Sequence, residues 1–425
     1  MAERVAIVGA GYAGMAAAVT LAARGVAVTV FESGPVPGGR ARRVVSQGTE
    51  LDNGQHILIG AYSALFGLLR AVGVPSDALL RLPLEIRYAD AFRFRALRLP
   101  SALGLLGGLL LARGIAPQER LAAVRFMRAM KKSRFRLASD ITVAQLLEAH
   151  GQNGRLGRYL WRPLCIAALN TPAEEASAAV FLAVLRDTVA GRPGAGDLVL
   201  PRVDLSALFP EPAARFIAAR GGELRCGAAV KELGSLRKDF GSVIVAVGPH
   251  QLKTLLPYDA PYFSYQPIYT CYLQYPESVG LPFPMLGIAG GLVQWAFDRG
   301  ALTGERGRLA CVISARGEHQ RMTLEALAGE CHGELARALQ GLPQPRWSRV
   351  IAEKRATIAC VPGLQRPGVD TPIPGVYLAG DYTDPEYPPT LEAAVRSGIR
   401  AALRATPGTV SSEEKPARGY PQGVD

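Results

Sequence analysis

An apolar run, Val5-Ala6-Ile7-Val8, passes directly into Gly9-Ala10-Gly11-Tyr12-Ala13-Gly14. Such a run reads as a parallel strand buried on both faces. The glycines that follow have separate tasks. Gly9 permits a tight turn, Gly11 leaves the backbone bare for close approach of a diphosphate, and Gly14 lets the next helix lie near the strand. The alanine-rich stretch from about Tyr12 to Arg24 is expected to be that helix, ending near Gly25. The N–H groups of its first turn have no partners within the helix, and its dipole favours an anion beside them. Val26 to Phe31 reads as a second strand ending in Glu32, whose carboxylate can accept hydrogen bonds from ribose hydroxyls. A glycine pattern alone also serves plain helix packing. Strand, helix and acid in register make a dinucleotide the expected ligand.

The following turn, Ser33-Gly34-Pro35-Val36-Pro37-Gly38-Gly39-Arg40, narrows the ligand to FAD. Adjacent glycines let the backbone cross close to a diphosphate, and Arg40 adds a fixed cation. Near the other end, Val376 to Asp381 reads as a parallel strand with Gly380-Asp381 at its carboxyl end, where ligands bind in open α/β sheets. Asp381 suits a ribityl hydroxyl. Thr390-Leu391 opens a helix from about Leu391 to Ala405, and its free N–H groups suit the flavin pyrimidine ring. Val230 to Leu233 is expected to be a short strand presenting backbone groups to the adenine. No cysteine follows Cys360, so a cysteinyl flavin link in the C-terminal cradle is not expected; a link through a histidine such as His56 stays open.

At 425 residues the chain has room for two sizeable domains. The expected class is α/β: a Rossmann-like FAD-binding domain with a discontinuous mixed α+β substrate domain, of the glutathione reductase and amine oxidase type. The FAD-binding domain is assigned to 1–85, 200–253 and 351–406, the substrate domain to 86–199 and 254–350, and a disordered tail to 407–425. Residues 86–200 read as mostly helical and 255–350 as an antiparallel sheet. The six cysteines are widely spaced with no CxxC, so no metal site or redox pair is signalled, and reduced thiols in a cytoplasmic compartment fit best. The first strand begins almost at Met1, which leaves no room for a signal peptide, and no apolar run reaches spanning length.

Lys and Arg number 48 against 36 Asp and Glu, a net charge of +12. No aromatic-basic interleaving points to nucleic acid. Between 113 and 136 stand Arg113, Arg120, Arg125, Arg128, Lys131, Lys132, Arg134 and Arg136 against one acid, Glu119, directly after the apolar stretch Leu103–Leu111. This is the pattern of a chain lying on the inner face of an anionic membrane; a buried helix followed by a solvated one reads the same way.

The segment Leu51-Asp52-Asn53-Gly54-Gln55-His56 resembles the flavin-facing loop of the amine oxidase and carotenoid desaturase superfamily. Its DNGQH form is similar to the hydroxysqualene dehydroxylases of that superfamily. Ala168-Leu169-Asn170-Thr171-Pro172, Leu200 to Pro210 and Gly380-Asp381-Tyr382-Thr383-Asp384-Pro385-Glu386-Tyr387-Pro388 resemble that branch too. The resemblance spans most of residues 4–403. It implies FAD, reduction of hydroxysqualene to squalene with loss of water in hopanoid biosynthesis, an isoprenoid substrate, and hand-over from squalene-synthase-like enzymes. It also implies that Asn53, Gly54, Gln55 and His56 face the flavin.

Breaking an allylic carbon–oxygen bond requires a proton donor for the leaving oxygen. Beside the flavin the candidates are His56, Asp52, Glu386, Asp384 and Tyr387, with His56 favoured; a purely hydrogen-bonding role for His56 stays open. The stretches 101–112 and 179–185 read as walls of an apolar tunnel or as ordinary core. The alternatives are an FAD-dependent isoprenoid desaturase or amine oxidase, and a non-catalytic prenyl-binding escort.

Overall fold

The structure, a computed structural model, describes residues 4–89, 92–97, 99, 101–189, 192–257 and 261–406. The tail assigned to 407–425 lies outside them. Five strands rich in Val, Ile and Leu form a wholly parallel sheet in the order Glu223–Arg225, Ala27–Phe31, Arg4–Val8, Ser242–Val245, Val376–Leu378. Val5, Ala6, Ile7, Val243, Ile244 and Val245 have no exposed surface, as a doubly covered sheet requires. Helix Tyr12–Ala23 packs on one face beside helix Leu391–Ala405. These two helices approach so closely that a Cβ on Gly398 would fall 2.1 Å from the Ala13 carbonyl oxygen.

A second sheet of five strands is antiparallel: Met285–Gly287, Trp295–Asp298, Arg308–Ser314, Tyr265–Gln274 and Trp347–Ile358. Helix Leu324–Ala338 covers it with Leu327, Cys331 and Leu335. Helices Ser101–Leu111, Pro117–Lys132, Val143–Ala149, Arg162–Leu169 and Ala178–Val189 build a third apolar body around Phe126, Trp161 and Phe181. The parallel and antiparallel sheets are those the α/β class calls for.

One local expectation differs. Val230–Leu233 is not a strand. Gly227 and Ala228 donate to the carbonyls of Gly34 and Glu32, at 2.9 and 2.8 Å, so the chain follows the turn after the second strand and adds no rung. The 86–200 region is mostly helical, as expected, with short strands at its ends. It holds the hairpin Glu85–Arg87 with Arg93–Arg95, and the strand Leu198–Pro201, which pairs with Leu58–Ile59 and Leu79–Leu82. Among the described residues, no helix is long and apolar enough to cross a membrane.

Candidate flavin and active site

The carboxyl ends of the parallel strands open into a cavity of about 530 Å³. Gly9 sits there at φ +105°, and a Cβ on it would lie 2.6 Å from the Ala246 carbonyl oxygen. The Gly38-Gly39 turn crosses the first turn: the Gly38 N–H donates to the Ala10 carbonyl at 2.8 Å, and a Cβ on Gly39 would lie 3.1 Å from the Gly11 Cα. The backbone crossing therefore leaves room that side chains would fill. Glu32 accepts the N–H groups of Ala10 at 2.8 Å and Gly34 at 2.7 Å, which fixes its carboxylate at the cavity wall.

Arg40, from the N-terminal cradle, donates to Asp381 Oδ1 at 2.8 Å and to the Ala356 carbonyl at 2.7 Å. Asn53 donates to the Arg40 carbonyl at 3.0 Å. Thr390 caps the last helix by accepting the Ala393 N–H at 3.2 Å. Its neighbour Glu392 is buried and accepts the N–H groups of Ala64 and Leu65, at 3.1 and 2.8 Å, so it locks helix Ser63–Ala71 to the last helix. Burial raises its pKa.

Gly9, Gly11, Tyr12, Ala13, Glu32, Gly39, Arg40, Asn53, Gly54, Gln55, His56, Val230, Gly380, Asp381, Thr390 and Leu391 all line this cavity. Gly14 does not; a Cβ there would fall 1.9 Å from the Gly9 carbonyl oxygen, so its contribution is helix packing. The cavity is lined both by the polar groups and helix start of the parallel-sheet half and by apolar side chains of other elements: Ile268, Trp295, Phe297 and Val312 from the antiparallel sheet, Ile166 from helix Arg162–Leu169, and Ile57. The bare backbone crossing, the fixed acid and the Arg40–Asp381 pair fit the ribose, diphosphate and ribityl parts of FAD.

The five candidate donors occupy different settings. The His56 ring lines the cavity with Nδ1 3.4 Å from the Gly54 carbonyl oxygen. Burial, aided by the Arg40 charge, lowers its pKa to about 4, so it is neutral at pH 7. Asp52 is withdrawn into an adjoining recess. It accepts the Leu205 N–H at 2.8 Å and pairs with Arg299 at 3.2 Å. Burial raises it to about 6 against the pull of Arg299. Glu386 is exposed and Tyr387 is buried, with Arg396 4.9 Å over its ring; neither lines the cavity. The reason is the turn itself: Arg366 gathers the carbonyls of Asp384 and Tyr387, both at 2.6 Å, and Asp384 pairs with Arg400. Asp52, Glu386, Asp384 and Tyr387 are therefore corrected to structural positions, and His56 alone of these candidates faces the cavity.

Gln55 is also committed within the protein. Its Oε1 accepts from Arg299 at 3.2 Å and its Nε2 donates to the Tyr272 hydroxyl at 2.9 Å, which in turn donates to the Asp52 carbonyl at 2.9 Å. Several cavity residues were not anticipated: Glu353, which accepts from Asn53 at 3.3 Å, and His250, Gln251, Trp295 and Phe297. Asn170, within a quoted motif, adopts a left-handed φ of 46° and accepts the Ala315 N–H at 2.9 Å, pinning the helical body to the antiparallel sheet. Among the described residues, none of 103–112 or 179–185 lines the cavity. Leu105, Leu109, Phe181, Leu182 and Leu185 pack in the helical core instead.

The low pKa of His56 has a consequence for stability. The unfolded chain takes up a proton near pH 6.5 and the folded chain only near pH 4, so folding weakens as pH falls between them. Asp52, raised by burial, acts in the opposite sense over much of the same range. The two slopes partly cancel, so the expected result is a difference: FAD-free wild type loses roughly 2–3 kcal/mol relative to His56→Gln between pH 7 and pH 4 in denaturant melts. Parallel curves would show that the ring is solvated.

A family model described as flavin containing amine oxidoreductase matches residues 12–406. The chain is 31% identical to a hydroxysqualene dehydroxylase of Sinorhizobium fredii, covering 95% of this chain and 98% of the relative. It is likewise 31% identical to a hydroxysqualene dehydroxylase of Rhodopseudomonas palustris, with 95% and 98% covered. The cyclohexylamine oxidase structure from Brevibacterium oxydans superposes with a TM-score of 0.68 at 17% identity, over 96% of this chain and 99% of that one. FAD is the cofactor that the family and the cradle both require. The chain belongs to the flavin-containing amine oxidoreductase family, in the branch of the hydroxysqualene dehydroxylases.

Proposed function

We propose that this chain reduces hydroxysqualene to squalene and water, working on the inner face of the membrane with hand-over from a squalene-synthase-like enzyme. The observation that carries this reading is one cavity lined both by the glycine cradle with its polar groups and by the apolar side chains of Ile57, Ile166, Ile268, Phe297 and Val312. Reduced FAD supplies a hydride when bound. The substrate loses hydroxide with a proton, as water, and gains that hydride at the same carbon, so charge and atoms balance. The apolar wall keeps water from competing for the carbon.

His56 is assigned the proton. Its depressed pKa makes the imidazolium scarce but a strong donor to the leaving oxygen. Asp52, Arg299, Tyr272 and Gln55 hold the loop that carries it. Arg40, Asp381, Glu32 and Asn53 are assigned to binding the cofactor.

The test is anaerobic. Photoreduced holoenzyme mixed with hydroxysqualene is expected to reoxidise while mass spectrometry detects squalene. Reoxidation only by oxygen, with a polyene or amine consumed, would replace this reading with the oxidative one. The rate is expected to rise as pH falls toward 5, and His56→Gln is expected to lose that rise and about 10²–10⁴ of the rate. An unchanged rate in that variant with FAD bound would remove His56 as donor.

A further inference from the structure

Helix Ser101–Leu111 places Leu103, Leu110 and Leu111 on one face, two turns apart. That face is turned to solvent: Leu103 is 60% exposed, Leu110 50% and Leu111 66%. Amphipathic helices normally show water their polar side, and this one shows leucine. The next helix, Pro117–Lys132, is tied to its end by Arg120, which donates to the Leu110 and Ile115 carbonyls at 3.1 and 3.2 Å. Its outer stripe runs Leu121, Arg125, Arg128, Lys132, with Leu121 52% exposed. The one acid here, Glu119, is used inward, accepting the Leu156 N–H at 3.1 Å.

On the other side of the leucine helix lies the hairpin of Glu85–Arg87 and Arg93–Arg95. Arg113 donates its N–H to the Arg93 carbonyl at 2.9 Å, and a Cβ on Gly108 would lie 2.5 Å from the Arg95 carbonyl oxygen. The hairpin buries a single carboxylate, Glu85, among three guanidiniums, with Arg87 at 2.5 Å, Arg93 at 2.8 Å and Arg95 at 3.6 Å. Two positive charges are left over. An exposed leucine face thus lies beside cationic surface from both the hairpin and the basic helix, and among the described residues of these elements both acids, Glu85 and Glu119, are already engaged.

We infer that this face docks on an anionic phospholipid bilayer, with the leucines entering the headgroup boundary and the arginines and lysines meeting lipid phosphates. The choice of a bilayer over a protein partner rests on charge complementarity and on the isoprenoid reading above; the docking itself needs no turnover. Apolar insertion plus flanking cations is the combination that gives stable surface binding.

The experiment is flotation of the full-length holoprotein with vesicles of phosphatidylcholine, with and without a third of phosphatidylglycerol. Wild type is expected to float with the anionic vesicles and to be released by high salt or by omission of the anionic lipid. The exposed-site variants Leu103→Asn/Leu110→Asn/Leu111→Asn and Arg125→Gln/Arg128→Gln/Lys132→Gln are expected to keep FAD absorbance and melting temperature. The second is expected to partition roughly a hundredfold more weakly, from about 1 kcal/mol per cation. Binding that ignores both sets of changes, or equal binding to neutral vesicles, overturns the proposal. So does a leucine variant that turns a dimer into a monomer without altering flotation, because the face would then join two copies. Turnover of detergent-dispersed hydroxysqualene is measured in parallel; its loss in wild type would count against the reaction and leave the vesicle result standing.

Discussion

Gly14→Ala is expected to yield a colourless chain that melts far below the wild type. The added methyl would lie 1.9 Å from the Gly9 carbonyl oxygen and 3.2 Å from the Ala246 Cβ. The nearest obstacle is the turn backbone itself, so no side chain can swing aside. The helix cannot retreat either, because its far side is held against Leu391–Ala405, where Gly398 already meets the Ala13 carbonyl. Overpacking a close-packed site costs about 1–3 kcal/mol when side chains yield, and more when backbone must move. Relief would widen the turn to which we assign the diphosphate, so flavin retention is expected to fall with stability. Gly25→Ala is the control: nothing lies within 4 Å of its Cβ, and a φ of +74° adds strain of only about 1 kcal/mol. That variant is expected to stay yellow. Equal colour and equal melting temperature for Gly14→Ala would show that the first helix does not sit on the turn as described.

Arg299→Leu is expected to cost about 3–5 kcal/mol, the usual penalty for stranding one member of a buried ion pair. Asp52 is only 3% exposed and would keep just the Leu205 N–H. Its pKa, already raised to about 6 by burial, would climb further. A carboxyl whose folded pKa exceeds its unfolded value favours folding at low pH and loses that contribution as pH rises through the folded pKa. The variant is therefore expected to be less impaired at pH 5 than at pH 8 in urea melts. Asp52→Asn added to it is expected to restore much of the loss, because the stranded charge is gone. If the single variant melts equally at both pH values, Asp52 is not the group that Arg299 compensates. Gln55 would also lose an anchor, so a shift in the flavin spectrum is expected beside the stability change.

The parts of the site that were legible are those whose demands are local. Gly9, Gly11 and Gly14 answer to steric limits within one turn, and Glu32 follows from the length of one strand. The last strand and helix carried the same kind of signal in Gly380-Asp381 and Thr390-Leu391. Positions set by register between distant strands were not legible. Trp295, Phe297 and Glu353 reach the cavity because the antiparallel sheet pairs Trp295 with Val312 and places Glu353 opposite Ile268, which no short pattern announces. Glu386 misled because polarity beside a flavin motif reads as chemistry, whereas Arg366 and Arg400 fold that turn so that its acid faces solvent. The segment Val230–Leu233 misled for a related reason: apolar ends suit a short strand, but the N–H groups of Gly227 and Ala228 just before it are claimed by the carbonyls of Gly34 and Glu32.

The pairing of Arg40 with Asp381 also sets the order of events during biosynthesis. The first cradle emerges from the ribosome early, yet its ionic partner, the edge strand Val376–Leu378 and the closing helix Leu391–Ala405 arrive only after more than three hundred further residues have been translated. Until then the nascent chain holds half a nest for its coenzyme. Flavin loading is consequently a terminal step of maturation, and ribosome-bound chains stalled before Val376 should remain flavin-free however much riboflavin derivative is supplied.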